Sequence, residues 1–146
     1  MRDAGPAFDS GESMQIAKQE SDADLKWPHA PHRILVIEDN PTLAEAIEIT
    51  LSKAGHTAIS ATDGARVFDL LRELKPDLLV TDVILPEFDS IDFIDDLRRA
   101  HLDMKIIAIS GNPHLLRLAA KHGADHVLAK PFDLKALKLL IDVALN

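Results

Sequence analysis

Residues 34–41 of the chain read ILVIEDNP. An unbroken aliphatic run is typical of a strand buried on both faces of a sheet, because a half-exposed strand alternates apolar and polar residues. Glu38 and Asp39 follow the run directly. Pro41 can begin a helix, since the first helical position needs no N–H donor. The stretch therefore predicts a buried strand, an acidic loop and a helix, in that order.

The same pattern repeats along the rest of the chain. Further apolar runs predict strands at 57–61, 78–80, 106–109 and 127–129. Amphipathic helices are predicted from the apolar spacing within 43–54, 67–74, 91–97, 115–119 and 134–144. In the fourth helix the apolar stripe is Leu115, Leu118 and Ala119. Five strands alternating with five helices predict an α/β fold, a doubly wound five-stranded parallel sheet with helices on both faces.

The first 31 residues differ from the rest in composition. They are rich in Gly, Ser, Asp, Glu and Gln and contain few large apolar side chains. Such a segment buries too little surface to offset its ordering entropy, so we predict a disordered tail and linker over 1–31 and a folded domain over 32–146. Trp27, in the proline-stiffened end of the linker, is interpreted as packing loosely on the domain, with a partner anchor as the alternative.

Composition excludes several classes of function. The net charge of -8 argues against a nucleic-acid surface, and the absence of cysteine excludes disulfides and cysteine-bound metals. No apolar run approaches the roughly 20 residues of a membrane span, and the N-terminus lacks the apolar segment of a secretory signal. We therefore expect a cytoplasmic protein that binds neither nucleic acid nor membranes.

Polar side chains follow four of the five predicted strands. Glu38 and Asp39 end the first strand, Asp82 the third, Ser110 the fourth and Lys130 the fifth. In a doubly wound sheet, ligands bind beyond the carboxyl ends of the strands. We therefore expect these side chains to meet at one edge of the sheet, which we call the rim.

This set of groups suits one chemistry. Clustered carboxylates favour a hard divalent cation such as Mg²⁺, and an aspartate can attack phosphorus to form an aspartyl phosphate. Lys130 and Ser110 would supply charge and a hydrogen bond to the transferring group. Each residue alone also has a structural interpretation, such as a helix cap for Asp39 or a turn for Ser110. Their joint position at four strand ends favours the functional one.

The chain from about Arg33 to Asn146 resembles the response-regulator receiver domains of two-component systems. The matching stretches are Ile34–Asn40, Pro76–Asp82 with Leu85-Pro86, Ile109–Gly111, and Gly123–Asp125 leading to Lys130–Phe132. They cover the whole predicted folded region. The resemblance implies the flavodoxin-like strand order 2-1-3-4-5.

By position, the resemblance implies a role for each rim residue. Asp82 is the implied phosphoacceptor. Glu38 and Asp39 are the implied Mg²⁺ ligands, together with Asp82 and the backbone carbonyl of Ile84. Ser110 is the implied switch hydroxyl, which moves toward the phosphoryl group.

On the fifth strand, Lys130 is implied to pair with a phosphoryl oxygen, and Pro131 follows it, often through a cis bond in this family. Val127 stands at a switch position where the family usually has Tyr or Phe, so we expect readout through loop four and helix four. Ser90 replaces a usual turn glycine. Ile84 places an apolar side chain near the phosphoryl group, where we expect it to restrict attacking water.

The function predicted on this basis is a single-domain response regulator in a phosphorelay, since no output domain follows Asn146. It would receive phosphate from a histidine kinase or a histidine phosphotransfer protein and switch its binding to an unknown protein target, as a monomer or weak dimer. It would not be an enzyme, although it would assist its own phosphorylation and dephosphorylation.

Two alternatives remain. One is a degenerate receiver that acts as a constitutive protein-binding module, as Val127 and Ser90 suggest. The other is an enzyme on a similar fold, such as a flavodoxin-like protein or a phosphatase. The acidic loop 38–41 argues against a flavin phosphate site, and Ile84 stands where an aspartyl phosphatase usually has a second Asp.

Overall fold

The computed structural model describes residues 31–85, 88–100 and 103–146. Its strands are β1 Arg33–Ile37, β2 Thr57–Ala61, β3 Leu78–Asp82, β4 Ile84–Leu85, β5 Phe88–Asp89, β6 Lys105–Ser110 and β7 His126–Ala129. Its helices are α1 Pro41–Lys53, α2 Val67–Leu74, α3 Ser90–Arg99, α4 Pro113–His122 and α5 Leu134–Leu145. The predictions for the tail before Pro31, including Trp27, lie outside the described residues.

The main sheet has the order β2-β1-β3-β6-β7, and all of its neighbouring strands are parallel. Since β6 and β7 are its fourth and fifth strands along the chain, the predicted order 2-1-3-4-5 is confirmed. In register, Ile34 lies beside Ala58 of β2 and Leu78 of β3. Asp82, the last residue of β3, lies beside Ile109 of β6.

Each face of the sheet carries its own apolar layer. Leu35 and Ile37 of β1 pack into the layer that contains buried residues of α2, α3 and α4. Ile34 and Val36 pack into the layer that contains buried residues of α1 and α5. Because both faces are covered, the central strands are apolar at successive positions, which explains the unbroken runs in the sequence.

Two local features differ from the predictions. In α4 the buried residues are Leu116 and Ala119, while Leu115 is only half-buried. Ala119 belongs to the core layer and the half-buried Leu115 packs against it, as predicted, whereas Leu116, which was not predicted, is buried outside both apolar layers. Ser90, predicted in a turn, is the first residue of α3, and the Asp89 side chain caps that helix by accepting from the N–H of Ile91 at 2.9 Å.

The short antiparallel pair β4–β5 was not predicted. Ile84 lies opposite Asp89, and Leu85 lies opposite Phe88. Strands of two residues are too short to show alternation, so the sequence carries no periodic signal for them. The pair connects β3 to α3 and places Ile84 two residues after Asp82.

Among the helices of the described ranges, none is long and apolar enough to cross a membrane.

Candidate functional site

The rim is built by backbone hydrogen bonds that continue the sheet one residue beyond its strands. These bonds are Glu38 N to Ala61 O, Val83 N to Ile109 O and Lys130 N to Ser110 O, each at 3.0 Å. They fix the backbone at or beside each predicted functional residue. The position of those side chains is therefore a property of the sheet and not of mobile loops.

Three carboxylates meet at this rim. Glu38, Asp39 and Asp82 each offer an oxygen, and these three oxygens lie within 4.8 Å of one another. Glu38 and Asp82 are 1% and 4% exposed, whereas Asp39 is exposed to solvent. Because Glu38 and Asp82 are removed from water, their like charges repel strongly and call for a cation or a bound proton.

Lys130 supplies one cation. Its Nζ lies 2.9 Å from Glu38 Oε1 and 2.9 Å from Asp82 Oδ1. Burial lowers the pKa of Lys130, but the bonds to Asp82 and Glu38 outweigh burial and raise the pKa above its usual value. The ammonium therefore stays charged while it bridges the two buried carboxylates. The bond between Lys130 and Pro131 is cis.

The carboxylates differ in their affinity for protons. Burial raises the pKa of Asp82 to about 7, and repulsion from Glu38 adds to this rise while Lys130 opposes it. For Asp39, burial also raises the pKa, but contacts with Glu38 and Asp82 and the attraction of Lys130 outweigh it and lower the pKa below its usual value. Asp82 therefore binds a proton more readily than Asp39 does.

One oxygen of Asp82 has no hydrogen-bond partner among the described residues. Oδ2 is buried and accepts no hydrogen bond from the residues that the structure describes, while Oδ1 faces Lys130. An unsatisfied buried carboxylate oxygen is costly, and within an acidic cluster a divalent cation would relieve that cost. An all-oxygen donor set of carboxylates is the set that Mg²⁺ prefers. The residues at the rim therefore fit this ion.

The helix-cap interpretation of Asp39 is excluded, because the cap of α1 is Asn40. Asn40 Oδ1 accepts from the N–H groups of Thr42 at 3.0 Å and Leu43 at 3.1 Å. The Asn40 N–H donates to Glu38 Oε2 at 3.0 Å. Asn40 thus caps the helix and also orients Glu38. Because Asp39 does not cap α1, its carboxylate belongs to the acidic cluster.

Ser110 is buried at the end of β6, with 3% of its surface exposed. Its Oγ accepts a hydrogen bond from the Asn112 N–H at 3.0 Å. Sequence reasoning missed both Asn40 and Asn112. The signal that could have found them is the pair Asn-Pro, which precedes α1 and α4 alike, because Asn caps helices and Pro suits their first position.

The remaining predicted residues lie around the rim. Ile84 is 61% exposed and lines an open groove of about 680 Å³ whose other walls include Leu115 and Leu118 of α4. Val127 lies on the edge strand β7 beside Ala108 and is 37% exposed. The metal role of the Ile84 carbonyl and the switch role of Val127 stay predictions.

A second open cavity adjoins the carboxylates. It has a volume of about 550 Å³ and is lined by Glu38, Asp39, Asn40, Leu43, Lys130, Pro131 and Phe132. Its acidic and basic groups lie together, while Leu43 and Phe132 supply apolar surface. The rim is therefore open to a charged group carried by another molecule.

Fold and site together define a flavodoxin-like α/β protein with a lysine-bridged acidic cluster at the carboxyl ends of its strands. The family described as response regulator receiver domain matches residues 34–142. The chain therefore belongs to the receiver domains of response regulators, the signalling modules of two-component systems. Members of this family are phosphoacceptors that interact with histidine kinases or phosphotransfer proteins.

Individual proteins show the same similarity. The chain is 33% identical over 109 residues to the response regulator MprA of Mycobacterium sp. (strain KMS), covering 73% of this chain and 47% of MprA. It is 30% identical over 115 residues to the DNA-binding transcriptional regulator NtrC of Azospirillum brasilense, covering 77% of this chain and 24% of NtrC. The chain thus spans less than half the length of these relatives.

The fold has solved counterparts. A receiver domain of a response regulator from Bermanella marisrubri superimposes with a TM-score of 0.73 at 33% sequence identity. The match covers 78% of this chain and 98% of that domain. The predicted fold class and family are therefore confirmed.

Proposed function

We propose that this receiver accepts a phosphoryl group on Asp82 from a phosphohistidine of a histidine kinase or phosphotransfer protein, and that phosphorylation switches its binding to a protein target. The proposal rests on the contacts of the two Asp82 carboxylate oxygens. One of its oxygens faces Lys130 at 2.9 Å, and the other is buried without a hydrogen-bond partner among the described residues.

The transfer is a direct displacement. A carboxylate oxygen of Asp82 forms a bond to phosphorus while the P–N bond of the phosphohistidine breaks, and the imidazole leaves with the electron pair of that bond. Lys130 balances negative charge on the phosphoryl oxygens. Glu38, Asp39, Asp82 and the Ile84 carbonyl would hold Mg²⁺, which supplies further charge neutralisation and favours the ionised carboxylate.

After transfer, the rim residues bind the product. Lys130 pairs with a phosphoryl oxygen, since its Nζ already lies beside Asp82 Oδ1. The Ser110 hydroxyl, on the neighbouring strand β6, donates a hydrogen bond to another phosphoryl oxygen. To make this bond, the Ser110 hydroxyl moves toward Asp82. The movement shifts the equilibrium between two conformations of the surface that the target binds.

Acetyl phosphate tests the proposal without the cognate kinase. Wild type incubated with Mg²⁺ and acetyl phosphate should gain one phosphoryl group by intact mass, and Asp82→Asn should gain none. Asp63→Asn is the matched control, because Asp63 is an exposed aspartate after β2 whose carboxylate accepts from the N–H of Ala65 in its own loop. Equal labelling of wild type and Asp82→Asn would overturn the assignment.

A second candidate function is a degenerate receiver that binds its partner constitutively. The observation that favours it is Val127, which has no aromatic ring to reorient on β7. This candidate predicts that wild type remains unlabelled by acetyl phosphate and that partner affinity is the same with and without it. The ion pairs of Lys130 with Glu38 and Asp82 favour the phosphoacceptor function over constitutive binding.

A further inference from the structure

Asn112 joins the buried hydroxyl of Ser110 to helix α4. Its backbone N–H donates to Ser110 Oγ at 3.0 Å. Its side-chain Oδ1 accepts from the N–H groups of His114 at 2.9 Å and Leu115 at 3.3 Å. These two donors belong to the first turn of α4, which has no intrahelical acceptors for them. One residue thus contacts both the hydroxyl and the helix start.

The backbone around Ser110 limits how the hydroxyl can move. The Ser110 carbonyl accepts from the Lys130 N–H at 3.0 Å, and Ser110 ends the paired part of β6. The hydroxyl therefore changes place by rotation of the side chain and not by movement of the strand. Gly111 and Asn112 are exposed and follow the paired part of β6, so they can shift without breaking a hydrogen bond of the sheet.

We propose that Asn112 is a positioning residue that couples the Ser110 hydroxyl to the cap of α4; this inference rests on the proposed function of Asp82. While Ser110 Oγ accepts the Asn112 N–H, the loop holds the Asn112 side chain over the first turn of α4. Rotation of the hydroxyl toward a phosphoryl group on Asp82 removes that acceptor. The loop then shifts and the cap weakens.

The consequence for binding lies in α4 itself. Leu115 and Leu118 of α4 share the open groove with Ile84, which follows the phosphoacceptor. A change in the first turn of α4 therefore changes an apolar surface next to the phosphorylated loop. This route needs no aromatic side chain on β7, where the chain has Val127.

Thermodynamic linkage makes the coupling measurable. If displacement of the hydroxyl weakens the cap, loss of the cap must favour the displaced hydroxyl by the same factor. Removal of an asparagine cap typically changes a helix equilibrium by about fivefold. Asn112→Ala should therefore bind beryllofluoride, a stable mimic of the phosphoryl group, with up to about fivefold higher affinity in the presence of Mg²⁺. Asn112→Ser keeps a capping oxygen and should bind it like wild type.

Amide hydrogen exchange on the full 146-residue chain reads the cap directly. In wild type, we expect beryllofluoride with Mg²⁺ to accelerate exchange at His114 and Leu115. In Asn112→Ala, both amides should exchange fast with and without beryllofluoride, whereas Asn112→Ser should behave like wild type. Unchanged exchange in the sheet strands β3 and β6 would show that each variant is folded.

Ser110→Ala separates this inference from the proposed function. Without the hydroxyl, ligand-free protein should already show faster exchange at Asn112, His114 and Leu115, and beryllofluoride should add nothing further. Unchanged exchange at His114 and Leu115 in ligand-free Ser110→Ala would overturn the coupling. If wild type takes up neither acetyl phosphate nor beryllofluoride, the proposed function fails, but the ligand-free comparison still decides whether Ser110 supports the cap.

Discussion

At the scale of single residues, the central feature is a carboxylate that the fold keeps partly unsatisfied. Asp82 is 4% exposed, and Lys130 pairs with one of its oxygens while the other has no hydrogen-bond partner in the described part of the chain. A buried carboxylate oxygen without a hydrogen-bond partner costs folding free energy. In the proposed function this oxygen is available to a metal ion or to phosphorus.

The raised pKa of Asp82 predicts how the stability of metal-free protein depends on pH. An unfolded aspartate ionises near 3.8, whereas folded Asp82 keeps its proton to about 7. Between these values the folded state binds more protons than the unfolded state, so stability falls as pH rises and the loss is complete above about 7. In chelator, Asp82→Asn should therefore be more stable than wild type at pH 8, by roughly 2–4 kcal/mol.

Denaturant unfolding of both proteins at pH 8 and pH 5 checks this prediction. The stability difference should shrink by about half or more at pH 5, because folded Asp82 is then protonated. Asp63→Asn is the control, and its stability should equal that of wild type at both pH values. A difference between Asp82→Asn and wild type that grows toward acid would show that the pKa shift has the opposite sign.

Ile84 is predicted to lengthen the life of the phosphorylated state. Its side chain is 61% exposed and lies two residues after Asp82, the proposed acceptor, where an apolar group would hinder the approach of water to phosphorus. Ile84→Asn should shorten the half-life of phosphorylated protein, timed by loss of the phosphoryl mass after acetyl phosphate is removed. Ile49→Asn on α1 is the control, since Ile49 is also an exposed isoleucine, at 46%. An unchanged half-life in Ile84→Asn would rule out this role.

The sequence predicted which residues reach the rim but not how they are connected there. The ends of apolar runs locate Glu38, Asp82 and Lys130, because parallel strands all end at one edge. The bridge from Lys130 to two carboxylates depends on the path of a long side chain across the sheet edge, and the bond from Asn112 to Ser110 depends on the conformation of a short loop. Neither is encoded in periodicity.

At the scale of elements, Arg98 of α3 links three parts of the fold. Its guanidinium donates to the carbonyls of Gly123 and Met104, each at 2.9 Å, and pairs with Asp125 at 2.6 Å. Asp125 also accepts from the Ile106 N–H at 2.8 Å. The contacts join the end of α3, the start of β6 and the turn before β7.

Replacement of Gly123 in this turn is predicted to destabilise the fold more than replacement of Gly111 after β6. Its φ is +126°, and a Cβ at this position would lie 2.5 Å from Arg98 Cγ. Gly123→Ala should therefore destabilise the fold by roughly 2–4 kcal/mol in denaturant unfolding. Gly111→Ala is the matched control, because its Cβ would meet Lys130 Cβ at an ordinary 3.9 Å. Equal stability of the two variants would contradict this account of the turn.

The elements themselves were largely predictable, with exceptions that have a physical reason. The strands and helices of the main fold follow from apolar runs and helical spacing, since both are set by burial. The pair β4–β5 was not predicted because two residues carry no period. In α4 the predicted Leu115 and Ala119 pack on the core, but the buried Leu116 was not predicted, because Leu115, Leu116 and Leu118 offer two apolar faces.

At the scale of the whole molecule, the acidic cluster predicts that metal binding stabilises the fold. A ligand that binds only the folded state stabilises it by about 1.4 kcal/mol at tenfold its dissociation constant. Mg²⁺ should therefore raise the melting temperature of wild type relative to chelator, and Asp39→Asn should weaken this effect. Asp63→Asn should respond to Mg²⁺ like wild type. An undiminished response in Asp39→Asn would place the ion elsewhere.

The most direct test of the central claim is to identify the phosphorylated residue chemically. Protein treated with acetyl phosphate and Mg²⁺ is reduced with borohydride, which converts an aspartyl phosphate to homoserine, and is then sequenced by tandem mass spectrometry. We expect homoserine at position 82 and unmodified aspartate at position 39. Homoserine at another aspartate, with position 82 unmodified, would contradict it.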